Sequence, residues 1–168
     1  MQYHEMAQEA VKSWLRTHDR KAENYILVIA YLYRHAIELR LKSGIVETPT
    51  FQRGDDRAKR NMIEGHSIFG LWQRLVPDLP AEAAEDEPMM TALLTQLHDL
   101  DTRSDGFRYP YRFGRDDQPH PIIQNMDGAS AENLIWVLES ILNWLDTIPD
   151  AFQRQRDYEA EMARDAGF

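Results

Sequence analysis

Apolar side chains recur every three or four residues along most of this chain, and that period predicts helices. The strongest case is Tyr25–Gly44, YILVIAYLYRHAIELRLKSG, where Ile26, Ala30, Tyr33, Ile37 and Leu41 fall on one face. Val28, Leu32 and Leu39 make a second strip, which predicts a helix covered on more than one side and central to the fold. Lys42 and Gly44 read as its stop. Upstream, Met6, Ala10, Val11, Trp14 and Leu15 mark a first helix over Gln2–Arg16, followed by a polar turn at Thr17–Lys21. Downstream, Ile68, Leu71, Trp72 and Leu75 mark a short helix opened by Gly65-His66, with His66 as its cap or as a site residue. Met90, Leu93, Leu94, Leu97 and Leu100 mark a fourth core helix over Met89–Asp101. A last long helix carries Leu134, Val137, Leu138, Ile141, Leu145 and Ile148, capped by Ser130 and ended by Pro149.

The stretches between these helices have a different character. Thr48–Asn61, with the mixed charge run RGDDRAKR, reads as a solvated loop. Pro77, Pro80 and Pro88 bracket an exposed acidic linker, AEAAEDE. Asp150–Phe168 reads as a polar tail, either a frayed helix or a partner-binding extension. In Arg103–Ala129, Phe107, Tyr109, Tyr111 and Phe113 alternate with Arg108, Pro110 and Arg112. That period of two predicts an extended loop or short edge hairpin, since Pro110 excludes a central strand. Interleaved in this way, Arg108, Tyr109 and Arg112 can stack bases and hold phosphates. The same pattern can pack rings onto a bundle with the guanidiniums outward. The expected fold is all-α: five main helices in one domain over 1–149, with a long irregular Arg/aromatic loop between the last two.

Composition narrows the function classes. The 168 residues carry a formal charge of −9, which argues against a protein that simply coats nucleic acid but leaves room for a local basic groove. Zero cysteines exclude disulfides and thiolate metal sites. Arg34 interrupts the one long apolar run, so no membrane span is expected, and the polar start MQYHEMAQEA has no signal core. The expected location is the cytoplasm. His4-Glu5 begins like a zinc-protease HExxH, but Gln8 stands where the second histidine belongs. Phosphate loops, dinucleotide fingerprints and nucleophile elbows are absent, as is the paired Glu-x-x-His of a di-iron bundle. No cofactor or metal is expected.

One chemical feature stands out. Arg34, Glu38 and Lys42 follow one another at spacing four on the central helix, with His35 beside them. A charged ridge on a core helix is costly unless it is paired or faces a cleft. A bundle could bring Arg34, His35 and Glu38 together with His66, Asp101 and Arg108. One outcome is an ion-pair network that pins the long loop, the other a binding or catalytic site.

LYRHAIELRLK (Leu32–Lys42), GHSIFGLW (Gly65–Trp72) and DTRSDGFRYP (Asp101–Pro110) together resemble a pattern of bacterial HEPN-like helical proteins. The resemblance covers Tyr25 to Pro110, and it implies a compact helical bundle, often dimeric, in toxin–antitoxin or anti-phage systems. Many such proteins are metal-independent ribonucleases whose motif is an Arg followed four to six residues on by a His. Here Arg115 and His120 have that spacing, but in a loop with Gly114, Pro119 and Pro121 rather than on a helix. If active, His120 would be the acid–base group on the RNA 2′-hydroxyl and Arg115 would stabilise the phosphate. Otherwise Arg34, His35, His66 and Arg108 form a non-standard site, or the chain is a silent member. The resemblance thus implies an RNA-binding or RNA-cleaving homodimer with its site near the subunit interface. A different class also fits the acidic balance: a non-enzymatic interaction module (antitoxin, sensor or assembly subunit) that holds a protein partner.

Overall fold

The computed structural model describes residues 2–16, 23–101, 107, 111–113, 118–121 and 128–166, with backbone alone at 2, 23, 24, 111–113, 119–121 and 128–130. The architecture is an all-helical bundle. Two long helices, α1 (Gln2–Arg16) and α2 (Glu23–Glu47), pack against each other. Two short ones follow, α3 (Pro49–Arg53) and α4 (Asp56–Ile63). Then come α5 (Ile68–Leu75), the one-turn α6 (Ala81–Ala84) and α7 (Glu87–Leu100). A small antiparallel hairpin, β1 (Tyr111–Phe113) with β2 (Pro119–Pro121), precedes α8 (Gly128–Leu145) and α9 (Ile148–Asp165). α2 is the hub, in contact with α1, α5 and α8.

The inner strip of α2 behaves as its spacing predicts: Ile26, Ala30, Tyr33, Ile37 and Leu41 are all buried. They join one continuous apolar cluster that runs from Ala7 and Trp14 on α1 through Leu71 and Trp72 on α5 to Leu138 and Ile141 on α8. The second strip differs from expectation, since Val28 and Leu39 are exposed and Leu32 only partly buried. Gly44 does not stop the helix, which continues to Glu47. A Cβ at Gly44 would lie 3.3 Å from Leu75 Cδ2 and 3.5 Å from Ile148 Cγ2, so the glycine lets α5 and α9 approach the α2 backbone closely.

Other expectations are corrected by capping chemistry. Thr48–Asn61 is two helices rather than a loop: Thr48 accepts from Phe51 N and Asp55 from Ala58 N, each opening a new turn. Ser67, not His66, caps α5 by accepting from Gly70 N. The acidic linker holds the helical turn α6, whose Ala83 is buried while its glutamates stay exposed. In α7, Met90, Leu94 and Leu97 are buried, whereas Leu93 is partly buried and Leu100 exposed. α8 begins at Gly128, ahead of the expected cap at Ser130. Pro149 lies in the first turn of α9 and opens it rather than closing α8, because its ring clashes only with a preceding helical turn. The expected tail is therefore a helix, docked by Ile148, Ala151 and Phe152. Among the described residues, no helix is long and apolar enough to cross a membrane.

Candidate functional site

The ridge on α2 closes into a polar cluster with the turn before α5 and the end of α7. Arg34 is 6 % exposed and Glu38 2 % exposed. The guanidinium spends its fork on three elements. Nε lies 2.9 Å from Asp101 Oδ2 at the end of α7, and Nη1 lies 3.4 Å from Glu38 Oε2 one turn along α2. Nη2 donates to the carbonyl of His66 at 2.7 Å. Planar, five-donor geometry is what lets one side chain tie three elements. The Glu38 carboxylate accepts from Lys42 Nζ and from His66 Nδ1, both at 2.9 Å. Glu38 and Lys42 are in the favourable helical order, carboxylate N-terminal to ammonium.

Burial alone would raise the Glu38 carboxyl, but hydrogen bonds and charge from Lys42 and His66 override it and hold it below the usual carboxylate range. The cluster is balanced: Arg34 and Lys42 against Glu38 and Asp101. His66 sits at its edge, with the imidazole 74 % exposed. Because Glu38 can only accept, Nδ1 carries the proton, and Nε2 is the basic nitrogen of the neutral ring.

The turn that carries His66 is held from several sides. Gly65 has a φ of 91°, a left-handed conformation that side chains disfavour, and a Cβ there would meet nothing within 4 Å. The glycine serves backbone conformation alone. Arg74 Nη1 donates to the carbonyls of Met62 at 3.1 Å and Glu64 at 2.8 Å. With Arg34 on the next carbonyl but one, the turn is pinned on both flanks of Gly65.

Of the residues singled out from sequence, Arg34, Glu38, His66 and Asp101 meet. His35 does not: its ring packs edge-on against Tyr3 at 4.4 Å and stacks with Tyr31 at 6.1 Å, on a different side of α2. Arg108, Tyr109 and Arg115 lie outside the described residues. For Arg112 and His120 the backbone register is defined, and it sets the two opposite each other across the hairpin. Phe107, one residue before Arg108, is buried in the core. Among the described residues, no three His, Asp or Glu side chains converge as metal ligands.

A second polar cluster was not anticipated from sequence. The Glu139 carboxylate on α8 accepts from Gln8 Nε2 at 2.7 Å and lies 3.1 Å from His4 Nε2, both on α1. Tyr33 of α2 also donates to it. Burial raises the Tyr33 hydroxyl first and the hydrogen bond to Glu139 raises it further, well above its ordinary value. Burial opposes ionisation of Glu139 too, yet the donors Tyr33, Gln8 and His4 outweigh it and leave the carboxyl below its usual range. The faint HExxH-like start was the available signal: His4 and Gln8 do converge at helical spacing, on a carboxylate.

No protein-family model, curated protein or solved structure matches this chain.

Proposed function

We propose that the chain is a HEPN-like protein of bacterial defence or toxin–antitoxin type, built as a HEPN-like bundle, that binds or cleaves RNA without metal. One observation carries the reading: an exposed imidazole, His66, is oriented through Nδ1 by a buried, ionised carboxylate, Glu38. A ring held in one tautomer with its basic nitrogen directed away from its anchor suits proton transfer from a ribose 2′-hydroxyl. Arg34 is then a positioning residue that fixes the His66 turn. The cations needed at the phosphate are Arg108, Arg112 and Arg115, with Tyr109 as a stacking surface. The Arg115/His120 pair is the competing location for the chemistry.

The test is cleavage of tRNA and total RNA with chelator present. His66→Ala should lower the rate by about 10²-fold or more at unchanged unfolding midpoint. Loss in His120→Ala alone would move the chemistry to the hairpin, and no cleavage or binding by wild type would overturn the reading.

A homodimer belongs to the same proposal. Its support is the row Tyr25, Val28, Leu32, His35 and Leu39 along α2, with alternating spacings of three and four that suit pairing with another helix. Val28 and Leu39 are exposed, beside exposed Tyr3 and Met6 of α1. Val28→Lys should halve the mass measured by sedimentation. The same exposed face favours the second reading, a non-enzymatic module holding a protein partner. Any RNA binding by such a module would lack the steep salt dependence of true phosphate contacts.

A further inference from the structure

Gln8, Tyr33 and Glu139 of this second cluster line a groove between α1 and α8 that nothing in the RNA reading uses. The cavity has a volume of about 480 Å³, within the range that takes a small organic molecule. Trp136 and Leu15 are its exposed apolar side chains, and the buried rings of Trp14 and Tyr33 reach its lining. Trp136 is 69 % exposed, an unusual position for so large an apolar ring. Two carboxylates line the groove, Glu132 and Glu139. The one cation lining it among the described residues, Lys12, is already paired with Glu9 at 2.7 Å. The exposed aromatic face presents negative quadrupole and the ionised Glu139 carboxylate adds charge, so both select the same kind of ligand.

We infer that the α1/α8 groove binds a small organic cation: an amidinium, guanidinium or quaternary ammonium group on a flat apolar body. The body lies on the exposed Trp136 ring, and the positive group faces the Glu139 side of the groove. Glu139 already accepts from Tyr33, Gln8 and His4, so it acts chiefly through its charge. Anions are repelled, and neutral isosteres keep only the apolar part of the binding.

The test is calorimetric titration of the full chain with benzamidine, benzamide and benzoate at one ionic strength. These probes share a ring and differ in charge. Benzamidine should bind at least about tenfold tighter than benzamide, with no heat from benzoate. Trp136→Ala, at an exposed position, should weaken benzamidine severalfold without moving the unfolding midpoint. Glu139→Gln should erase the preference for benzamidine over benzamide, and Glu132→Gln, at an exposed position, should reduce it. Equal binding of benzamidine and benzamide, no binding of benzamidine, or an affinity indifferent to Trp136→Ala would overturn the assignment.

Discussion

Two carboxylates organise the polar interior of this bundle, and they are kept ionised by different means. Glu38 is almost wholly buried and is compensated by formal cations, with Lys42 in direct contact and Arg34 alongside. Glu139 has a side chain 28 % exposed and relies on Gln8, Tyr33 and His4. The difference follows from desolvation. A carboxylate sealed from water needs opposite charge close by, whereas one that keeps part of its hydration can be held by hydrogen bonds. A cluster compensated internally has little charge to offer a ligand, and the most exposed group of the Glu38 centre is the His66 imidazole. The Glu139 centre retains its negative charge at the groove.

The largest expected difference is in stability. Arg34→Ala leaves Glu38 and Asp101 facing each other in the interior and should cost about 3–5 kcal/mol in denaturant unfolding. Glu139→Gln keeps a neutral acceptor for its donors and should cost only about 1 kcal/mol. Similar losses for the two would erase the distinction drawn here. Next comes Gly65→Ala, which forces a side chain into left-handed backbone and should cost about 1–2 kcal/mol. Its sharper readout is the His66 imidazole resonance, which should shift as the contact to Glu38 loosens.

Acid unfolding tests what the two clusters share. Both carboxyls titrate below their ordinary value in the folded state, so the unfolded chain binds more protons there. Their stabilisation is complete above about pH 4.5 and is lost as pH falls through the folded values. Glu38→Gln should flatten stability against pH below 4.5, and a slope equal to that of wild type would contradict the ionised assignment. The smallest effect belongs to Arg154, which donates to Glu82 from Nε at 3.1 Å on the open surface. Its change to Ala should leave the unfolding midpoint unmoved, because solvent screens such pairs.

The sequence made local periodicity readable and left distant convergence obscure. The buried strip of α2 and the Arg34–Glu38–Lys42 ridge both follow from helical spacing within one element. His35 was grouped with that ridge by adjacency, yet neighbours in a helix point about 100° apart, and it lies elsewhere. Asp101 stood out as a network residue, but its pairing with Arg34 depends on how α7 meets α2. The Glu139 centre was hidden because Gln8 and Glu139 are 131 positions apart, each an ordinary polar residue on an amphipathic helix. At Thr48 and Asp55 the signals were present, since each is a capping residue type, but the charge run Arg53–Arg60 outweighed the caps. The spacing of Arg115 and His120 likewise says nothing of register, which instead pairs His120 with Arg112.

The long α9 has a consequence for motion. Its buried contacts with the bundle are confined to Ile148, Ala151 and Phe152; from Gln153 onward its residues are exposed, tethered by the surface pairs Arg154–Glu82 and Arg156–Glu47. A free helix of that length is marginal in water, so the outer turns persist mainly because the docked end nucleates them. Backbone amide protons should therefore exchange with solvent along a gradient, slowest near Phe152 and fastest toward Asp165. On that expectation the far end of the helix should unwind and rewind independently of the core, so that crowding there is absorbed locally rather than transmitted to either carboxylate centre.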